Sequence, residues 1–176
     1  YFLKKTALLT AGSALVNNSI HAGSVAETDR YAALDAALAN PVLKRQLFSE
    51  PVIIDKLELL RYNDNFLCRV RSKDGAEGIS VSNNMQMESL YPIFVRRLQP
   101  FFPGKDARDM EQLLNDVYVY QSNYKFQNLA LWVPLATIEL AILDMLGRIA
   151  GMPMGELIGK IHHSEIALNQ AITFRG

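Results

Sequence analysis

The stretch Ala136-Thr-Ile-Glu-Leu-Ala-Ile-Leu-Asp144, followed by Gly147-Arg-Ile-Ala-Gly-Met-Pro153 and Gly155-Glu-Leu-Ile-Gly159, decides the fold of this 176-residue chain. Its first part is apolar on nearly every side, which marks a helix buried in a core rather than one lying on a surface. The expected span is Pro134 to Ala150. Pro134 suits a first turn, Gly151 a C-terminal cap, and Pro153 bars continuation. A short second helix ends at Gly159, and a strand-like run follows from Ile166 to Phe174. Helix, stop, helix and new strand read as the opening of a larger α/β unit, so the chain is expected to be part of a longer one.

Upstream the pattern is β. Val52 to Leu60 is rich in β-branched and apolar residues. Phe66 to Ser72 alternates, which puts Phe66, Cys68 and Val70 on one face and Leu67, Arg69 and Arg71 on the other. Lys73-Asp74-Gly75-Ala76 supplies an Asp-Gly turn, and Gly78 to Ser82 gives a third strand. The prediction is a three-stranded antiparallel meander. Helices follow. Glu88 to Leu98 aligns Leu90, Ile93, Phe94 and Leu98 on one stripe, with Pro92 placed near its first turn and Pro100 stopping it. Asp106 is the expected N-cap of the next helix, whose Met110, Leu113, Leu114 and Val117 recur at amphipathic spacing. Strands then helices, segregated along the chain, make the fold class α+β.

Eighteen basic side chains balance eighteen acidic ones, so no strong field favours nucleic acid. Lys4-Lys5, an uncharged run from Thr6 to Val16 and small residues at Ser24-Val25-Ala26 read as a signal peptide over 1–26, which predicts an exported protein, periplasmic or secreted. That apolar core is too short to span a bilayer, and no other uncharged run reaches the roughly 18 residues that spanning needs. Residues 27–50, alanine-rich and interrupted by Pro41, read as a leader or linker. Cys68 is the only cysteine, which excludes an intrachain disulfide, and its place on the inward face of a strand predicts core packing.

Taken together, Phe102-Pro-Gly-Lys-Asp-Ala-Arg-Asp109, Ala136 to Asp144, Gly151-Met-Pro153 and Leu157-Ile-Gly159 resemble, in order and distance, the enolase superfamily, most closely its mandelate racemase and muconate lactonizing branch. The resemblance runs from about Pro51 to Gly176. It implies an α+β capping domain over 51–126. Residues 127–176 would then hold junction helices and, at Ile166 to Phe174, the first strand of an incomplete (β/α)₈ barrel. It further implies a racemase, epimerase or acid-sugar dehydratase that removes a proton beside a substrate carboxylate. Mg²⁺ would be held by acids on later barrel strands, with lysine or histidine as the base, and those positions fall outside this sequence. A barrel takes roughly 200 residues or more, so the chain alone is expected to be catalytically incomplete, with no catalytic or metal-ligating residue of its own. A homo-oligomer is implied for the longer enzyme.

The resemblance assigns this chain the lid over the pocket. Two loops are implicated, Arg61-Tyr-Asn-Asp-Asn65 and Ser82-Asn-Asn-Met-Gln86, and the substrate-binding candidates are Tyr62, Asn63, Ser82, Asn83, Asn84 and Met85. Tyr62 and the asparagines offer hydrogen bonds to a polar acid, and Met85 offers an apolar contact. Asn83 and Asn84 equally suit a turn leading into a helix. Arg175, at the C-terminal end of the presumed barrel strand, completes the set, since a guanidinium there would grip a carboxylate at two points. Other features read as structural. Glu139 and Asp144 fall on different helix faces, Asp144 and Arg148 form an i,i+4 pair, and His162-His163 is a solvated loop. The tyrosines at 118, 120 and 124 are expected to pack and hydrogen-bond. The alternative to an enzyme is a non-catalytic binding or subunit module that keeps only the capping fold.

Overall fold

The structure is a computed structural model that describes residues 31–121, 126–163 and 165–167. The signal segment, Tyr124, Arg175 and most of the run from 166 to 174 lie outside the described residues. Two compact units divide the chain, residues 1–40 and 41–176. In the first, residues 31–38 are helical, and the Asn40 side chain donates to the Ala36 carbonyl at 3.1 Å. In the second, the segment just after Pro41 already belongs to the packed core, since Leu43 and Phe48 are buried.

The meander is present as β1 (Ile54–Tyr62), β2 (Asn65–Ser72) and β3 (Glu77–Val81), antiparallel and in sheet order β1-β2-β3. Alternation in β2 works as its sequence predicts: Phe66, Cys68, Val70 and Ser72 point inward. In β1 the buried residues are Ile54 and Leu57, three apart, because the register slips between Ile54 and Lys56 and leaves Asp55 as an extra residue. Such a bulge lets both side chains reach the same face. The β1–β2 turn is tight, with Asn63 at φ 53, and the β2–β3 turn places Gly75 at φ 87, as an Asp-Gly turn demands.

The helices are α1 (Asn84–Ile93), α2 (Met110–Val119), α3 (Leu129–Ala150) and α4 (Met154–Ile158). Two boundaries differ from the sequence expectation. The first helix begins at Asn84, so Pro92 stands at its ninth position instead of its first turn. The chain then continues through a π-helical segment, Phe94–Leu98, wide enough to follow a residue that cannot donate to the ladder. The long helix begins at Leu129, five residues before Pro134, and the proline is carried inside it as a buried residue. Its end is as expected, with Gly151 left-handed at φ 65. Asp106 caps a 3₁₀ turn, Ala107–Asp109, that leads into α2. The inward residues of α2 are Met110, Leu113 and Val117.

α3 is the centre of the core. It packs across β3 and β2 on one side and receives α1, the π-helical segment and α4 on others. By length and composition it would cross a membrane, and scanning for uncharged runs misses it because Glu139, Asp144 and Arg148 interrupt the sequence. Here it is the core helix of the fold, with Leu131, Leu135, Ile138, Ile142, Met145 and Leu146 fully buried. Cys68 lies beneath it in the sheet, fully buried, and burial pushes its thiol up to about 12.

Three contacts fix α3 to the sheet. Gly78 is so close that a Cβ there would sit 2.1 Å from the Ala141 carbonyl oxygen and 2.4 Å from the Met145 nitrogen. Beside it runs a buried hydroxyl column: Ser80 donates to the Thr137 carbonyl at 2.5 Å, and Ser82 Oγ lies 3.1 Å from Thr137 Oγ1. At the edge, Asp144 accepts from the Ile79 N–H at 2.8 Å and from Arg148 Nε at 3.0 Å, which is the predicted i,i+4 pair. On the far side of β1, Asp106 accepts from the N–H groups of Val52 and Arg108 and from the Arg108 guanidinium. Burial works against the Asp106 charge, but these donors outweigh it and hold the carboxyl below the ordinary aspartate range.

Gly78→Ala drives a methyl into backbone atoms that cannot rotate away, so urea unfolding should show a loss of about 3 kcal/mol or more. Gly155→Ala, whose Cβ would meet only Ile161 at 3.7 Å, should leave stability within about 0.5 kcal/mol. Asp106→Ala removes a cap and the Arg108 partner and should cost about 1–2 kcal/mol near neutral pH. Because folding lowers the Asp106 pKa, its contribution is complete above the unfolded value of about 3.9 and disappears as pH falls through the lower folded value. The stability gap between wild type and variant, followed by denaturant titration, should therefore close in acid.

Candidate functional site

The β1–β2 turn and the entry to α1 meet at one end of the sheet, so the two loops implicated by sequence are brought together. Their meeting point is Phe66. Its N–H donates to Asn84 Oδ1 at 2.8 Å, and its carbonyl accepts from the Ser82 N–H at 3.0 Å. Its buried ring lies 5.2 Å beneath the Arg61 guanidinium and stacks on Tyr91 at 6.4 Å. Asn84 Nδ2 donates to Asn65 Oδ1 at 2.7 Å, and Arg61 pairs with Glu88 of α1 at 3.1 Å.

The sequence candidates divide by what their side chains touch. Asn83 is the α1 N-cap, its side chain accepting from the Gln86 N–H at 3.2 Å. Asn84 spends its amide on β2. Ser82 is buried and belongs to the hydroxyl column on Thr137. Asn63 holds the turn, and its carbonyl accepts from Arg61 Nε at 3.1 Å. Tyr62 and Met85 are different. They stand 71% and 83% exposed, one on each loop beside that clamp. Arg175 lies outside the described residues.

Phe66, Arg61 and Glu88 are the site residues that sequence reasoning passes over. A signal existed in the asparagines, because Asn65 ends one turn and Asn83-Asn84 opens a helix, and amides at two such junctions are suited to bridge them.

Features set aside as structural are in structural positions. Glu139 is half-buried on α3, where burial raises its carboxyl above the ordinary value, and Asp144 is engaged elsewhere with Ile79 and Arg148. His162 and His163 are exposed. Tyr118 stacks on Trp132 at 6.4 Å, and Tyr120 meets Phe101 edge-on at 5.1 Å. A groove of about 390 Å³ beside α4 is lined by Lys44, Glu156 and Lys160, and Lys44 is engaged there, its Nζ donating to the Glu156 and Gly159 carbonyls. Among the described residues, no group of three or more His, Cys, Asp or Glu side chains is placed to hold a metal ion, so these residues do not fit a magnesium site.

A small antiparallel sheet backed by one long buried helix, with two loops gathered at a sheet end, defines an enolase-like capping domain. No family model matches the sequence. A D-galactonate dehydratase family member from Paenibacillus sp. (strain JDR-2) is 32% identical over 88 residues, which cover 49% of this chain and 21% of that protein. The crystal structure of a putative racemase from Roseobacter denitrificans matches at a TM-score of 0.53 and 25% identity, over 59% of this chain and 28% of that one. A mandelate racemase/muconate lactonizing protein from Paracoccus denitrificans PD1222, solved with magnesium, matches at 0.55 and 23%, over 64% and 32%. The chain thus spans about a fifth to a third of the length of the proteins it matches. The chain is therefore similar in fold and in part of its sequence to enolase-superfamily proteins, including the mandelate racemase and muconate lactonizing branch that its motif order resembles.

Proposed function

We propose that the chain is the substrate-capping region of an enolase-superfamily acid racemase, epimerase or dehydratase, acting on a small carboxylate-bearing substrate. The observation that carries this reading is the clamp at Phe66, which gathers two loops at one end of a rigid sheet and leaves Tyr62 and Met85 projecting from it. Loops on a rigid scaffold are where specificity is commonly carried. The names of the similar proteins, a dehydratase family member and a putative racemase, support the reaction class.

A proton beside a carboxylate is hard to remove, because the negative charge that develops must be stabilised. In the longer enzyme of this reading Mg²⁺ would supply that stabilisation, held, as the base would be, by residues that this sequence does not include. The magnesium in the Paracoccus structure supports this part of the proposal. The capping region's own work is to bind, orient and exclude water. Tyr62 offers a hydroxyl to the polar end of the acid and Met85 an apolar contact.

The test begins with the coding sequence past Gly176. It should continue through a barrel with acids on successive strands and a lysine or histidine base, and a frame lacking these sinks the proposal. The full-length protein, incubated in D₂O with aldonic and aldaric acids, should exchange the proton next to the carboxylate in at least one of them, and EDTA should abolish the exchange. Tyr62→Ala and Met85→Ala should raise KM about tenfold, roughly a 1.4 kcal/mol contact each, with the melting temperature unchanged.

Export and assembly belong to the same proposal. Residues 1–26, fused to a reporter that matures only outside the cytoplasm, should direct it there, and cytoplasmic retention of the fusion overturns the signal. Leu60, Ile79 and Val81 lie exposed on the outer sheet face and support a homo-oligomer in the full-length enzyme.

A further inference from the structure

We infer that Asn84 couples the two capping loops into a single body, so that the turn at 62–65 and the loop at 82–86 shift together rather than independently. The use of this coupling rests on the lid reading above; its demonstration does not.

The geometry assigns the role to Asn84 because its neighbour has taken the local duty. Asn83 caps α1, which leaves the Asn84 amide, one residue into the helix, able to reach across to another element. It uses both ends. The oxygen accepts from the Phe66 N–H and the nitrogen donates to the Asn65 side chain, at 2.8 and 2.7 Å. Asn65 is the first residue after the β1–β2 turn, so this amide bridges the end of one loop to the end of the other.

Two further links act in parallel. The Ser82 N–H holds the Phe66 carbonyl, so both backbone groups of Phe66 are tied to the second loop. Arg61 meets Glu88 through its two terminal nitrogens, at 3.3 and 3.1 Å, while its guanidinium lies over the Phe66 ring. Of the side-chain links, the ion pair is about half exposed and therefore weak. One of the two Asn84 bonds meets the part-buried Phe66 N–H, and leaving such a donor unmet is costly. Ser82 is fastened in turn to Thr137 on α3, so the coupled loops stand on the core helix. Presenting Tyr62 and Met85 on one preformed body reduces the ordering that substrate capture would otherwise require.

The test is site-resolved hydrogen exchange on the whole 176-residue chain, read without any substrate. Asn84→Ala should speed exchange about tenfold at both 62–66 and 82–86, while Cys68 to Val70 in the core stays within about twofold. Asn84→Asp keeps the acceptor for Phe66, and a turned Asn65 amide restores the second bond, so its exchange should stay within about twofold of wild type. A structural helix residue with no coupling role would loosen 82–86 alone in Asn84→Ala, and that result overturns the inference, as does no change in either loop. Should Asn84→Ala fail to fold, Asn65→Ala removes the same contact from the turn side. Faster exchange at 82–86 in that variant supports the coupling, and unchanged exchange there overturns it. Failure of every acid to bind the full-length enzyme would count against the lid reading and leave this measurement standing.

Discussion

The close approach of α3 to the sheet at Gly78 is the constraint on which the rest of the structure depends. With no side chain at that position, the backbone of β3 lies against the backbone of α3, near enough for Ser80 and Ser82 to meet Thr137 directly. A methyl group would push the two apart. Separation would also strand the Ser80 and Ser82 hydroxyls in an apolar interior, where unmet polar groups are costly, while Thr137 would keep the Val133 carbonyl of its own helix. Shape and polarity thus enforce the same spacing.

That spacing sets where the loops can be. Ser82 is both the end of the hydroxyl column and the start of the second loop, and its backbone N–H reaches back to Phe66. The core contact and the loop clamp therefore share a residue. Rigidity at the helix–sheet interface is passed to the sheet end through one serine, and from there through Asn84 to the β1–β2 turn.

Much of the fold is legible in the sequence where one periodicity acts alone. β2 alternates without interruption, and its inward residues are those the pattern names. α2 is similarly plain. Legibility fails where proline or asparagine has two physical uses. Pro92 and Pro134 both suit a first turn, yet Pro92 precedes a π-helical widening and Pro134 is buried within a helix that starts at Leu129. Asn83 and Asn84 read equally as ligand contacts or as turn residues. The structure gives them two separate jobs, a cap and a bridge, which no local pattern distinguishes because the bridge's partner is eighteen residues away. Asp106 was readable as a cap, but its hold on Val52 depends on β1 lying alongside. Tyr62 and Met85 are recognisable as loop residues from sequence, while their nearness to a common clamp is a tertiary property.

The bond from Asp144 to Ile79 has one more effect. β3 is an outer strand, and the N–H of Ile79 points away from β2, in the direction from which a foreign strand would add. A carboxylate already occupies that donor and brings a negative charge, with Arg148 behind it, to the open margin of the sheet. Unprotected margins recruit other chains into aggregates. In this protein the buried helix that organises the interior also supplies the stopper that keeps the sheet from growing.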